Sequence, residues 1–252
     1  MTTQTLSSPV LACVLALGMI GVATPVHAEV RDMTKTVAGT AIRYKVVLPY
    51  MYDPAKAYPA ILVFGGGPQT MDTVDRTIAR NFRTEAERRG YIVVAPAAPG
   101  RELFFDTGAR IFPEFLTKIL EDYRIEGGKF HVAGPSNGGI AALHVAAAHP
   151  QYFVSATAFP GYLWQPTTAK LVALSKTCVF MYVGEFDEYM WHDEMNREVE
   201  YLRSLGTVAR YTVEQGQPHR LDTLAGPRAR RLFDGFDEAR KGCTQKGARI
   251  QP

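Results

Sequence analysis

What the sequence lacks excludes several classes of protein. The net charge is only +3 over 252 residues, which argues against a nucleic-acid partner. There is no internal repeat and no low-complexity segment. A P-loop needs Gly-Lys followed by Ser or Thr, and no such triplet occurs; a Gly-x-Gly-x-x-Gly fingerprint starting at Gly65 would need glycine where Thr70 stands. Phosphate binding at a glycine loop is therefore not favoured.

Charged side chains are missing from residues 1–28, which run apolar from Val10 to Ala23 and close on Val26-His27-Ala28. This pattern is typical of a secretory signal peptide cut after Ala28. We therefore expect a secreted or periplasmic protein with no stable membrane insertion after cleavage. Because the first residues carry no Lys or Arg, an uncleaved anchor and a misassigned start codon stay open as alternatives.

Cysteine is scarce, with three in the chain. Cys13 would leave with the leader, so Cys178 and Cys243 would remain. In an exported protein these two could form a disulfide that ties the C-terminal tail to a core strand. Cys178 could equally be a buried free thiol, and the sequence leaves both outcomes open.

Apolar strands alternate with amphipathic helices along residues 29–252, which predicts a single α/β domain with a mostly parallel sheet and helices on both faces. Ala41–Leu48 reads as an edge strand. The pattern assigns no oligomeric state. The other predicted strands are Ala60–Phe64, Tyr91–Ala95, Lys129–Ala133, Phe153–Ala158, Thr177–Val183 and Val208–Val213, and the predicted helices are Met71–Gly90, Ile111–Tyr123, the segment from Ile140, Asp193–Leu205 and Ala225–Ala239.

A short turn carries the clearest chemical signal. Gly134-Pro135-Ser136-Asn137-Gly138 matches Gly-x-Ser-x-Gly, between a predicted buried strand and a predicted helix. This strand-turn-helix setting is the one in which the motif presents a serine hydroxyl as a nucleophile. The tight turn leaves no room for side chains at Gly134 and Gly138. Since the chain has only six serines, the match predicts that Ser136 is a catalytic nucleophile.

A serine nucleophile needs a base, which should be a histidine in a loop after a later strand. His219 meets this requirement and is the predicted general base, with His192 as its rival. His131, His144 and His149 lie on the strand and helix next to the serine, so structural roles are expected for them. The histidines show no spacing typical of metal ligands.

The acid that orients the imidazole should follow the preceding strand, where Gly184-Glu185-Phe186-Asp187-Glu188 supplies three carboxylates. Asp187 is the predicted acid because its side chain is short and lies three residues after the glycine that ends the strand. Glu185 and Glu188 stay open as alternatives. The resulting chain order is Ser, acid, His.

Two backbone N–H groups should bind the negative oxygen that forms during acyl transfer. One is expected from Asn137, the residue after the serine. The other should come from the glycine run after the strand Ala60–Phe64. Pro68 has no N–H, which leaves Gly66 or Gly67.

These segments together resemble the α/β-hydrolase superfamily over roughly Ala41 to Ala239. Within it they are most similar to compact secreted esterases related to poly(3-hydroxybutyrate) depolymerases and feruloyl esterases, and to the phospholipase/carboxylesterase group. Those relatives usually have a histidine where this chain has Phe64, which bears on how the oxyanion loop is held. The resemblance implies an α/β-hydrolase domain over residues 29–252.

The resemblance also implies an activity. Ser136 would attack an ester carbonyl, His219 would take its proton, Asp187 would steady the imidazolium, and water would release the acyl group. The substrate would be a small-molecule or polymer ester, with no cofactor and no metal. A prolyl-oligopeptidase-like peptidase and a non-catalytic binding protein remain alternatives. Six aromatic residues are expected near the cleft or in core packing: Phe104, Phe105, Tyr162, Trp164, Tyr189 and Trp191.

Overall fold

The structure is a computed structural model, and it describes residues 1, 29–100 and 102–243. The predicted signal peptide, residues 1–28, lies outside the described residues apart from Met1. In the described part of the chain, no helix is both long and apolar enough to cross a membrane.

Eight strands form one sheet in the order β1-β2-β4-β3-β5-β6-β7-β8. The pairs β1–β2 and β2–β4 are antiparallel, and every pair from β4 through to β8 is parallel. The sheet is therefore mostly parallel, as the sequence predicts. The strands are β1 Val30–Val37, β2 Thr40–Val47, β3 Tyr58–Val63, β4 Ile92–Pro96, β5 Ile125–Gly134, β6 Phe153–Ala158, β7 Cys178–Phe186 and β8 Ala209–Pro218.

Helices cover both faces of the sheet. They are α1 Met71–Thr77, α2 Arg83–Arg89, α3 Glu114–Asp122, α4 Asn137–Ala148, α5 Thr168–Leu174, α6 His192–Ser204 and α7 Arg230–Ala239. A π-helical turn, Ile78–Phe82, joins α1 to α2. Short 3₁₀ turns lie at Thr107–Ile111, Pro150–Tyr152, Asp222–Leu224 and Gly226–Ala229.

The two faces of the sheet bury separate cores, because successive residues of a strand point to opposite sides. On β4, Ile92 and Val94 face a core shared with α3, α4, α5 and α6. Their neighbours Val93 and Ala95 face the core shared with α1, α2 and α7. The central strands are buried on both sides, which explains their nearly continuous apolar sequences.

The prediction of an edge strand at Ala41–Leu48 is wrong in one respect. The strand exists as β2, but it lies between β1 and β4, and β1 forms the edge. The sequence did not indicate β1, because most of Val30–Val37 is exposed and only Val37 is buried. An exposed antiparallel edge strand has little of the apolar pattern by which strands are recognised.

Three helical predictions also need correction. The helix predicted over Met71–Gly90 is interrupted by the π-helical turn. The helix predicted from Ile111 begins after Pro113, and the last helix begins at Arg230, after a 3₁₀ turn. Pro113 directly precedes α3, and Pro227 lies at the start of the 3₁₀ turn before α7; proline suits both places because the first N–H groups of a helix have no partner within it. The sequence did not indicate α5, a short helix in which only Leu174 is completely buried.

Two of the three cysteines form a disulfide. Cys178 at the start of β7 is joined to Cys243, which lies just after α7. The sequence had left a disulfide and a free thiol equally open. The bond links the last described residue to β7, the strand beside the edge strand β8.

Candidate active site

The predicted nucleophile lies on a sharp turn between β5 and α4. Strand β5 ends at Gly134 and α4 begins at Asn137, with Ser136 at φ 55° and ψ −125°. This left-handed conformation is strained for a residue with a side chain. A Cβ on Gly138 would lie 2.4 Å from the carbonyl oxygen of Phe64, and one on Gly134 would lie 2.5 Å from Gly138. The turn therefore requires both glycines of the motif.

Ser136, His219 and Asp187 form one hydrogen-bonded chain. The Nε2 atom of His219 lies 2.9 Å from Oγ of Ser136, and its Nδ1 lies 3.0 and 3.1 Å from the two carboxylate oxygens of Asp187. A carboxylate only accepts hydrogen bonds, so Nδ1 carries the proton. Nε2 is then free to accept the Ser136 O–H, which is the arrangement a general base requires.

Burial and hydrogen bonds hold the carboxylate of Asp187 in one orientation. Its side chain is 0% exposed, whereas that of His219 is 13% exposed. The Tyr189 N–H donates to Oδ1 of Asp187 at 2.9 Å, and the Asp187 N–H donates to the carbonyl of Gly184 at 3.1 Å. These bonds hold a carboxylate that points at the imidazole from a loop at the carboxyl end of β7.

The two alternative acids have other partners. An oxygen of Glu188 accepts the backbone N–H of His219 at 3.0 Å, and an oxygen of Glu185 accepts the backbone N–H of Gly216 at 2.8 Å. Both carboxylates therefore bind the backbone of the β8 region. Of the three acids, Asp187 is the one that contacts the imidazole.

His192, the alternative base, and His131, the histidine in β5, have hydrogen-bond partners other than Ser136. Nε2 of His192 is 2.7 Å from the carbonyl oxygen of Gly184, so it donates there. His131 is buried in β5 with Nδ1 2.7 Å from Oγ of Ser155. Burial lowers the pKa of His131 to about 3, with a smaller contribution from the positive charge of Arg240. His131 is accordingly a neutral, structural histidine.

The predicted oxyanion donors surround the serine. The Asn137 N–H lies in the first turn of α4, where amides have no partner within the helix. Gly66 touches the turn, since a Cβ on it would lie 3.1 Å from the Pro135 carbonyl oxygen and 3.8 Å from Cβ of Ser136. The carbonyl of Gly67 accepts from Nδ2 of Asn137 at 2.9 Å. The glycine loop and the serine turn are thus tied to each other.

Sequence reasoning gave no role to Gln69, which joins three segments around the site. The residue is fully buried and has φ 52°. Its Nε2–H donates to the Asn137 carbonyl at 3.2 Å, and its Oε1 accepts the Phe104 N–H at 2.9 Å. Its backbone N–H donates to Gly66 at 3.3 Å and its carbonyl accepts from Ala98 at 2.9 Å. The available signal was a polar residue two positions after a glycine run, following Pro68.

Phe64, at the position where relatives usually have histidine, packs among other apolar side chains. Phe64 is fully buried. Its ring centroid lies 5.0 Å from that of Phe104 and 5.9 Å from that of Phe112. A phenyl ring cannot form such hydrogen bonds, and the side chains of Gln69 and Asn137 supply those that tie the glycine loop to the serine turn.

Aromatic side chains form a wall on one side of His219. The Tyr189 ring centroid lies 4.5 Å from the imidazole and that of Trp191 lies 4.9 Å from it. Tyr162 packs against Trp191 at 5.1 Å. The other three predicted aromatics differ: Phe104 and Phe105 are buried and Trp164 packs against Phe105. The wall therefore comprises Tyr162, Tyr189 and Trp191.

A buried carboxyl group anchors the loop that carries Tyr162. Both oxygens of Glu198, on α6, lie 3.0 Å from the N–H of Leu163. Burial raises the pKa of Glu198 to about 8, and the hydrogen bond from Leu163 opposes this shift. The carboxyl group thus holds the loop after β6, which carries Tyr162 of the aromatic wall.

A cavity of about 340 Å³ opens beside Ser136. Its lining includes Gly66, Pro135, Ser136, Phe159 and His219. This volume is within the range of small-molecule sites. Among the described residues, no group of three or more His, Cys, Asp or Glu is arranged to hold a metal ion.

A family model described as "Putative esterase" matches residues 36–225 of the chain. The chain belongs to this esterase family. The matched segment contains the serine turn, Asp187 and His219. The chain has the α/β-hydrolase fold, as the sequence resemblance implied.

Two solved structures and one curated protein illustrate the similarity. The chain matches Thermogutta terrifontis esterase 2 with a TM-score of 0.65 and 17% identity, covering 87% of this chain and 96% of that one. The feruloyl esterase module from Clostridium thermocellum matches with a TM-score of 0.61 and 18% identity, covering 84% and 88%. Both show the shared fold.

The curated protein is dipeptidyl-peptidase 5 of Porphyromonas gingivalis. It is 33% identical over 150 residues, which cover 55% of this chain and 22% of that protein. The match therefore spans less than a quarter of that relative's length.

Proposed function

We propose that this protein is a serine carboxylic ester hydrolase acting on small-molecule or polymer esters. The observation that carries the proposal is the hydrogen-bonded chain from Ser136 through His219 to Asp187. It lies at the carboxyl ends of parallel strands, where α/β sheets bind ligands. Membership of the esterase family supports an ester as the substrate.

In the first half of the reaction, Oγ of Ser136 attacks the ester carbonyl carbon while Nε2 of His219 takes the hydroxyl proton. The new C–O bond converts the carbonyl oxygen into an oxyanion. Asp187 accepts the Nδ1–H of His219 and stabilises the imidazolium. The imidazolium then gives its proton to the departing alcohol oxygen as the ester C–O bond breaks, leaving an acyl group on Ser136.

The oxyanion needs donors that are already in place. The Asn137 N–H supplies one. Gly66 is assigned as the second, because its backbone contacts the serine turn; Gly67 is the alternative. In the second half of the reaction, His219 deprotonates a water molecule, which attacks the acyl carbonyl. The bond between the acyl carbon and Oγ of Ser136 then breaks, the imidazolium returns its proton to Oγ, and the acid leaves.

The test is covalent labelling combined with turnover. The protein should react with a fluorophosphonate probe and hydrolyse p-nitrophenyl esters of graded chain length, and Ser136→Ala should do neither. Circular dichroism spectra of both proteins would show that the fold is retained. A wild-type protein that neither labels nor turns over any ester would contradict the proposal and favour a non-catalytic binding protein.

A dipeptidyl peptidase is the second candidate, favoured by the 33% identity to dipeptidyl-peptidase 5. The same Ser136, His219 and Asp187 would then cleave an amide. Removing a dipeptide requires binding a positively charged N-terminus, which needs a nearby carboxylate. The cavity beside Ser136 has no Asp or Glu among its described lining residues, which favours the ester. Dipeptidyl coumarin amides, assayed beside the esters, distinguish the two activities.

We also propose that the protein is exported to the periplasm or secreted. The apolar, uncharged residues 1–28 support a signal peptide, and a disulfide is typical of oxidising compartments. N-terminal sequencing of the exported protein should begin at Glu29. A chain recovered from the cytoplasm with Met1 intact would contradict this proposal.

A further inference from the structure

The cavity beside Ser136 is lined by three arginines. Arg76 and Arg80 extend from the α1 region, and Arg220 directly follows His219. No carboxylate of the described residues lines the same cavity. A concave site lined by positively charged side chains concentrates anions and strengthens their binding. The proposed ester hydrolase chemistry does not itself need these charges.

The arginines keep donors available for a ligand. Arg76 pairs with Asp72 and Arg80 pairs with Asp222, but these carboxylates are 75% and 67% exposed and lie outside the cavity lining. Such exposed pairs contribute little free energy, and each guanidinium has five N–H donors. Arg220 is exposed and lies close enough to Asp222 for its positive charge to contribute to lowering the pKa of that carboxyl, after the larger effect of Arg80.

Arg80 is held in position before any ligand binds. Its side chain is 25% exposed, and Nη2 donates to the carbonyl oxygen of Leu221 at 3.3 Å in addition to pairing with Asp222. A guanidinium with fixed orientation loses little conformational entropy on binding a carboxylate. The rest of the wall includes the apolar side chains of Phe159 and Leu221. The cavity therefore suits a short apolar chain that ends in an anion.

We infer that the preferred substrates of this esterase are esters that carry a carboxylate, bound by Arg80 and Arg220 in the cavity beside Ser136. This inference rests on the proposed ester hydrolase function. The carboxylate can belong to the acyl part or to the alcohol part of the ester. Arginine binds a carboxylate through two parallel hydrogen bonds, which gives both affinity and orientation.

The experiment compares matched neutral and anionic esters. The acyl arm uses the p-nitrophenyl monoesters of glutarate and adipate against p-nitrophenyl pentanoate and hexanoate, with the uncatalysed rate subtracted. The alcohol arm uses the acetyl ester of 4-hydroxybenzoate against phenyl acetate. We expect kcat/KM for the anionic member to exceed that of its neutral partner by at least about tenfold in one arm, as a charged hydrogen bond allows.

Two variants and one control connect the preference to the cavity. Arg220→Gln and Arg80→Gln should each lower kcat/KM for the anionic ester by about tenfold while changing the neutral ester by less than about threefold. Arg230→Gln removes the same charge from an exposed arginine outside the cavity and should change neither. Added salt should reduce the wild-type preference, because it screens the exposed arginines.

The outcomes separate this inference from the proposed function. If wild-type protein hydrolyses the neutral esters as fast as the anionic ones in both arms, the inference is overturned and the ester hydrolase proposal stands. Equal losses in Arg230→Gln and Arg220→Gln would also overturn it, since they would indicate a general charge effect. If no ester of either kind is hydrolysed, the proposed function itself fails.

Discussion

The imidazole of His219 lies 2.9 Å from the hydroxyl of Ser136, although 83 positions separate the two residues in the chain. Strand β5 places the serine at the carboxyl ends of the parallel strands, and the loop after β8 places the histidine at the same end. The parallel order of the intervening strands creates this contact. Substitutions at Ser136 and at Asp187 test the chemical role of this contact.

Replacing Ser136 with Ala should remove the nucleophile and leave the fold intact. We expect kcat for p-nitrophenyl esters to fall by at least about 10³-fold, because the remaining oxyanion donors supply only part of the catalysis. The thermal unfolding temperature should be little changed, since alanine keeps the Cβ at φ 55° and the substitution removes only the hydroxyl. A variant that retained most of its activity would place the nucleophile elsewhere.

Replacing Asp187 with Asn should decide which carboxylate orients the imidazole. An amide at this position presents an N–H to Nδ1 of His219 and favours the wrong tautomer, so kcat should fall by about 10⁴-fold. Glu188→Gln and Glu185→Gln are the matched controls. Their amide oxygens can still accept the backbone N–H groups that the carboxylates accept, and losses below about tenfold are expected.

A larger loss in Glu188→Gln than in Asp187→Asn would contradict this assignment. The pH dependence of kcat/KM for wild type, measured in parallel, should show one ionisation that the Asp187→Asn variant alters and the two controls do not. That difference would separate a role at the imidazole from a role in holding the β8 loop.

Gln69 should act as a positioning residue. Gln69→Leu removes the bonds to the Asn137 carbonyl and the Phe104 N–H, so kcat should fall by about tenfold while KM changes little. Unfolding free energy should fall by about 1–3 kcal/mol, because buried partners lose their hydrogen bonds. Gln165→Leu is the control, since Gln165 also has a positive φ but is exposed.

The contribution of Glu198 to stability should depend on pH. Its pKa is raised to about 8 from 4.5, so the folded state binds the proton more tightly than the unfolded state. The stabilisation is complete below pH 4.5 and is lost as pH rises through about 8. Between pH 5 and pH 9, the unfolding free energy of wild type should fall by about 1–3 kcal/mol more than that of Glu198→Gln.

Glu200→Gln on the same helix is the control for this measurement. Glu200 is exposed and pairs with Arg203, so its substitution should leave the wild-type pH dependence unchanged. Chemical denaturation at each pH gives the free energies. A pH dependence of Glu198→Gln equal to that of wild type would show that the carboxyl group of Glu198 titrates similarly in both states.

The disulfide between Cys178 and Cys243 should stabilise the protein. It spans 65 residues, and chain-entropy arguments assign about 4 kcal/mol to a loop of this length. The double variant Cys178→Ser, Cys243→Ser should lose about 2–4 kcal/mol of unfolding free energy. Wild type with reductant should lose a similar amount, and an unchanged denaturation midpoint with reductant would show that the bond contributes nothing.

The sequence predicted the strands that are buried on both faces. Strand β6 has the predicted bounds, and β5 leads to the serine turn as expected, because buried parallel strands are continuously apolar. It did not predict β1, whose side chains are mostly exposed. Nor did it predict the π-helical turn between α1 and α2, since an amphipathic pattern alone does not distinguish continuous α-helix from a local irregularity.

The sequence by itself determined the serine turn and the order of serine, acid and histidine. These are local features, because the glycines of a tight turn and the apolar pattern of its flanking elements are encoded within a few residues. Only the tertiary structure decided that Asp187 and not Glu188 contacts the imidazole, that Gly66 touches the serine turn, and that Arg80 and Arg220 share one cavity. Such choices depend on contacts between distant segments and on the direction in which each side chain points, and neither is encoded in local sequence.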